Sequence, residues 1–254
     1  MNAARLPLMV ALRLAYTDAA AALRAMPNLA MACLMILIGA SAVSVLIVHP
    51  LVPVESLLGR EIMGVVTNFL LTPFLIAVHR FLILGEIAPR YVIEPRDPRF
   101  QLFFCWSAAL YIASAIGDAL AEFTITNPGG RGIAGFVLAI AMLVLSLRMT
   151  MLFPAIAVDA PGATWRGAWE DTRGHALYLF GLVLATILPV VLVTGMLLSF
   201  KTASSSAFVT FVALVVGGAG MVLALTLLVA ISSRFFLVVG DRVNQPPGAG
   251  EAQV

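Results

Sequence analysis

Six stretches of this chain are each long and apolar enough to cross a lipid bilayer, and that leaves few architectures open. A span needs about 20 apolar residues to cover ~30 Å of hydrocarbon at a helical rise of 1.5 Å. The stretches are 28–48, 62–84, 101–122, 132–153, 176–200 and 207–231, the last able to extend to Val239. Inside hydrocarbon every backbone N–H and C=O must be bonded within the protein, so only helices or a closed barrel can span. No stretch shows the polar–apolar alternation of a barrel strand. The predicted fold class is therefore an all-α polytopic membrane helix bundle of about six spans, arranged as three hairpins with interfacial helices. Only 11% of the residues are charged, against about 25% in soluble domains.

Residues 1–26 read as an N-terminal interfacial segment, 27–243 as the transmembrane domain and 244–254 as a turn-rich, disordered tail. Arg5, Arg13, Asp18 and Arg24 interrupt any signal-peptide core. Residues 4–25 suit a helix on the membrane surface, with Leu6, Met9, Val10, Leu14 and Leu23 toward lipid. An extension of the first span into the cytoplasm fits the same residues. Pro73 and Pro189 are expected to kink spans two and five.

Lysine and arginine set the expected orientation. With the N-terminus inside, only Arg60, Arg131 and Lys201 of the fifteen basic residues fall outside. By the positive-inside rule both termini are cytoplasmic, and the expected location is a bacterial inner membrane.

Several function classes are excluded. The net charge of +2 includes no polybasic tract, so nucleic acid is not an expected partner. Cys33 and Cys105 stand alone in apolar runs, which gives neither a disulfide framework nor a zinc site. No Ser-His-Asp set, HExxH motif or carboxylate pair can be assembled, so neither catalysis nor a metal or cofactor is expected.

The returning helix of each hairpin ends in an arginine. Span two closes with His79-Arg80-Phe81 and reaches Glu86; span six closes with Ser233-Arg234-Phe235 and reaches Asp241; span four carries Arg148 and then Asp159. The first and third matches suggest an old duplication, and its copies would be parallel. Arg80 and Arg234 can snorkel to the interface as anchors. For Arg148, anchoring and pairing, with Asp159 or a lipid phosphate, remain equal alternatives.

Within the spans, Asn68 has no neighbour in sequence to satisfy it, so a cross-helix hydrogen bond is expected. Asp118 and Glu122 lie near the outer edge of span three, where solvent can reach them. His79 is expected to pack at the interface. Small residues recur every four positions in span three (Cys105, Ala109, Ala113, Gly117, Ala121), and span six has Ala213, Gly217, Gly220 and Ala224. Such faces let helices approach closely, so they are candidate docking faces for a membrane-protein partner.

The connection 154–175 is the most informative loop. Thr164 can cap a short helix from Trp165 to Arg173, which puts Trp165 and Trp169 on one interfacial face. Arg148, the run Leu-Phe-Pro-Ala-Ile-Ala-Val-Asp over 152–159, Trp169 and Thr172-Arg173-Gly174-His175 resemble a bacterial group of six-helix inner-membrane proteins. That group is similar to the membrane domain fused to some glycerophosphoryl diester phosphodiesterases. Its usual Thr-x-Gly-Asn stands here with His175 in the last place. The resemblance implies a non-catalytic membrane region in which Arg148, Pro154, Asp159, Trp169, Thr172, Arg173 and Gly174 form a structural or lipid-binding motif. No phosphodiesterase barrel is recognisable in these residues, so that activity is not carried over. The expected role is a non-enzymatic scaffold or accessory subunit. Binding or handling of an anionic lipid is the alternative, and small-molecule transport is a second.

Overall fold

The computed structural model describes residues 7–43, 57–124, 128–202, 206–241 and 243–244. Every regular element among them is an α-helix, and the chain is a multi-pass membrane helix bundle. The helices are α1 (Leu8–Ala25), α2 (Pro27–Val43), α3 (Leu57–Leu84), α4 (Pro98–Thr124), α5 (Pro128–Met149), α6 (Leu152–Ala157), α7 (Trp165–Asp171), α8 (Ala176–Thr202) and α9 (Ala207–Val239). Five segments have the length and hydropathy of spans: Glu61–Leu84, Pro98–Gly117, Gly132–Ala157, Ala176–Ser199 and Phe208–Val239. The pair α1–α2 makes a sixth if the two are counted as one broken span. The tail beyond Asn244 lies outside the described residues.

The break between α1 and α2 has a local cause. Pro27 has no N–H to donate and disfavours helical backbone at the residue before it. Met26 accordingly leaves the helical region, at φ −129° and ψ 58°, and the two helices meet at 96°. Met9 and Val10 are exposed, as a surface helix requires. Leu14 and Leu23 are half-buried, and the buried stripe is Ala11, Ala15, Ala19 and Ala22. That stripe lets α1 lie close against α8 and α9. Tyr16 adds a tie, its hydroxyl donating to the Thr186 carbonyl at 2.8 Å.

Packing centres on α9, which touches α1, α2, α3, α6 and α8. Lipid tails are as apolar as the helices, so association rests on close packing and on hydrogen bonds. Two glycines of α9 show how close the packing is. A Cβ at Gly218 would come within 2.9 Å of the Leu34 side chain on α2, and one at Gly220 within 2.5 Å of Thr194 Oγ1 on α8. The small face of the last span is thus spent inside the chain. That of α4 is turned the other way. Cys105, Ala109 and Ala113 are exposed, while Gly117 meets Leu138 of α5.

Three buried threonine hydroxyls are satisfied within their own helices. Thr72, Thr186 and Thr226 donate to the carbonyls of Asn68, Leu182 and Val222 at 2.7–2.9 Å. A hydroxyl bonded in this way can sit in the core without needing a cross-helix partner. The helical assignment of α3 and α8 runs on through Pro73 and Pro189.

The connection after α5 differs from a surface loop. Residues 152–157 form the short helix α6, whose Leu152, Pro154, Ala155, Ile156 and Ala157 are buried against α3, α4 and α9. The run is too apolar to stay in water, and it folds under the end of the bundle. Thr164 caps α7 as expected, its Oγ1 accepting from Gly167 N at 3.2 Å. Trp165 and Trp169 are both exposed.

Replacing Ala19, which is fully buried, with leucine forces a larger side chain between α1 and its neighbours. The expected cost is about 1–3 kcal/mol of overpacking. Ala19→Leu should lower the melting temperature in detergent, and Met9→Leu on the exposed face should leave it unchanged.

Candidate functional site

The helices α3, α4, α5, α8 and α9 line a chamber that is open on one side. Its larger lobe is about 810 Å³ and also reaches α2, with Asn68, Ser107, Tyr111 and Ser146 among its lining residues. A second lobe of about 460 Å³ extends to His79, Thr150 and Ser232. Leu75, Ser107, Ser146, Leu225 and Leu228 line both lobes, so the two adjoin. From Met63 to His79 along α3 the chamber runs for about 24 Å at 1.5 Å per residue.

The lining is apolar with scattered neutral polar groups. No Asp, Glu, Lys or Arg lines either lobe. Asn68 Nδ2 donates to Ser107 Oγ at 3.0 Å, the cross-helix bond its sequence position calls for, and the Ser107 hydroxyl donates in turn to the Phe104 carbonyl. Gly64 is where the wall needs a glycine, since a Cβ there would fall 1.9 Å from the Tyr111 hydroxyl.

One end of the chamber, the end that carries the arginines, is closed by side chains and by α6. His79 is buried, and its Nδ1 pairs with Ser233 Oγ at 2.8 Å. These two residues precede the arginines of the repeated pattern. Contact between equivalent positions is what an axis along the membrane normal would produce between parallel repeats. The Phe103 and Phe153 rings pack beside them at a tilt of 57°, with centroids 5.0 Å apart.

The α6 segment is held by charge. Arg80 Nη1 donates to the Ala157 carbonyl at 2.9 Å, and its Nη2 lies 2.7 Å from Glu86. Asp159 lies 3.8 Å from Arg80 and 3.5 Å from Arg99, and Arg99 also pairs with Asp97 at 3.2 Å. Asp159 adopts φ 54°, a left-handed backbone that aspartate tolerates better than most residues. The arginines of α3 and α4 thus converge on the turn that follows α6.

Several sequence expectations are redirected by this geometry. Asp159 pairs with Arg80 and Arg99, not with Arg148. Arg148 lies over the Trp169 ring at 5.2 Å, and its buried Nε and Nη1 find no acceptor among the described residues. Thr172 Oγ1 lies within 3.3 Å of the Arg148, Ala168 and Trp169 carbonyls, which ties α7 to α5. Pro154 is buried in α6, Arg173 is exposed, and Gly174 takes φ 82° in the turn into α8. Arg234 is no simple anchor. It pairs with Asp18 of α1 through both carboxylate oxygens, with Nη2 2.8 Å from Oδ1. The side chains of Asp118 and Glu122 lie outside the described residues.

The segment after α9 joins the same end. Val243 is buried, its N–H donates to Asp171 at 3.0 Å and its carbonyl accepts from Gly162 at 3.0 Å. Nothing local in the sequence announces this clasp. Among the described residues no three His, Cys, Asp or Glu side chains are placed to hold a metal ion.

No family model, curated protein or solved structure matches the chain.

Arg80 is 21% exposed and bonds two elements at once, whereas Glu86 is 53% exposed. Arg80→Ala should cost on the order of 1–3 kcal/mol, the range for losing hydrogen bonds that involve a charged group. Glu86→Ala removes only a surface pair, worth ~0–1 kcal/mol. Chemical-denaturation midpoints of the two variants in the same detergent check the difference.

Proposed function

We propose that this chain binds a neutral, lipid-like molecule in the chamber of its helix bundle, and that it does so in a bacterial inner membrane with both termini cytoplasmic. The observation that carries the reading is the uncharged lining of a cavity of this size. Ligand sites commonly have volumes of 300–1,000 Å³, mostly apolar walls and a few placed polar groups. The larger lobe alone, at about 810 Å³, fits that description. Asn68, Ser107 and Ser146 can hydrogen-bond a hydroxyl, ester or amide, and the leucines suit hydrocarbon. An anionic group would find no counter-charge there. The expected anionic-lipid reading therefore shifts to a neutral ligand for the chamber.

A scaffold or accessory-subunit role is the second reading. The exposed Cys105, Ala109 and Ala113 of α4 favour it, since such a face suits close approach by another helix. Transport draws less support. Asn68 lines the chamber, but Arg148 does not. The resemblance of residues 148–175 to the six-helix inner-membrane group is compatible with lipid binding and with an accessory role.

Ser146 lines both lobes, so a tryptophan there fills their junction. Native mass spectrometry of protein extracted in mild detergent should find one neutral lipid-like molecule retained by the wild type. Ser146→Trp should reduce its occupancy at least tenfold, a loss of about 1.4 kcal/mol. A wild-type particle without such a molecule, or one whose retention is unchanged by Ser146→Trp, would contradict the reading.

A further inference from the structure

A second pocket, separate from the chamber, lies where α2, α3 and α4 meet the connection 85–97. It is about 200 Å³. One side is apolar, formed by Leu29, Pro73, Ile76 and Phe100. The other side carries Arg80, Arg90, Arg99, Glu94 and Asp97, with Tyr91 between them. Its position at the start of α2 and α4 and the end of α3 puts it at the level where hydrocarbon gives way to headgroups.

The charges in this pocket are not equivalent. Arg80 is balanced by Glu86 and Asp159, and Arg99 by Asp97 and Asp159. Arg90 and Glu94 have no side-chain ion pair among the described residues, and both line the pocket. The Tyr91 hydroxyl is shut off from solvent, and the residue packs against the core, so it adds to the apolar wall. The pocket therefore offers one cation and one anion beside an apolar wall.

We propose that this pocket holds the zwitterionic headgroup of a phospholipid, with the phosphate on Arg90, the ammonium on Glu94, and an acyl chain against Pro73, Ile76 and Phe100. Arginine suits phosphate because it is always charged and presents several donors. With one unbalanced charge of each sign, the pocket favours a headgroup of zero net charge over an anionic one. At about 200 Å³ the pocket has room for a phosphoethanolamine group.

The test uses the whole chain in mild detergent, equilibrated with vesicles of equal parts phosphatidylethanolamine and phosphatidylglycerol and read by native mass spectrometry. The wild type should retain one phosphatidylethanolamine over phosphatidylglycerol by about fivefold or more. Glu94→Gln removes the ammonium acceptor and leaves Arg90, so the preference should reverse toward phosphatidylglycerol. A misfolded protein could lose lipid but would not reverse its choice. Arg90→Gln should lower retention of both lipids. Equal retention by the wild type, or an unchanged ratio in Glu94→Gln, would overturn the assignment. Displacement of the lipid by soluble phosphoethanolamine at equal concentration would overturn the lipid as its source. The ratio should persist in Ser146→Trp, which separates this pocket from the chamber.

Discussion

The close packing of α9 against its neighbours is the constraint on which the rest of the bundle depends. Water drives no association inside a bilayer, so helices stay together only where backbones can approach or polar groups can bond. On α9 the approach comes from Gly218 against α2 and Gly220 against α8, and the bonds come from Ser233 to His79 and Arg234 to Asp18. These contacts gather α1, α2, α3 and α8 around one helix. The helices α4 and α5 join the bundle through α3 and α8. The space between them and α9 is the chamber, so the cavity follows from where close packing is concentrated.

The arginine end shows how the same chain handles charge. Arg80, Arg99 and Asp159 meet at the turn after α6, while Arg234 and Asp18 join the first helix to the last. Each pair neutralises groups that are costly to leave unpaired near hydrocarbon. The apolar segment 152–157 is held under the bundle by Arg80 on its last carbonyl. Val243 adds the clasp to Asp171 and Gly162. The result is a chamber stopped at one end by packed rings, a buried histidine and a short helix.

Much of this layout is legible in the sequence because the bilayer imposes length. Runs of twenty apolar residues mark the spans whatever their packing, and Thr164 marks the start of α7 because an N-cap is a local device. Asn68 announces a cross-helix bond because its amide has no alternative in an apolar run, although Ser107 as the partner cannot be read from position 68. What stays hidden is tertiary. Asp18 and Arg234 are 216 residues apart, and no periodicity links them. The alanine stripe of α1 is nearly silent on a hydropathy scale, since alanine contributes little contrast. The short-residue faces of spans three and six look alike in sequence, yet one packs inside the chain while Cys105, Ala109 and Ala113 of the other turn outward. Which partner covers a small-residue face depends on the whole assembly. The same holds for Arg148 and Asp159, eleven positions apart, whose side chains find different partners because α6 turns between them.

An experimental structure of the protein in lipid nanodiscs tests the central claim most directly. The chamber should appear between α3, α4, α5, α8 and α9, with uncharged, elongated density beside Asn68, Ser107 and Ser146. Side chains of α9 packed directly onto Ser107 and Ser146, with the space closed, would contradict it.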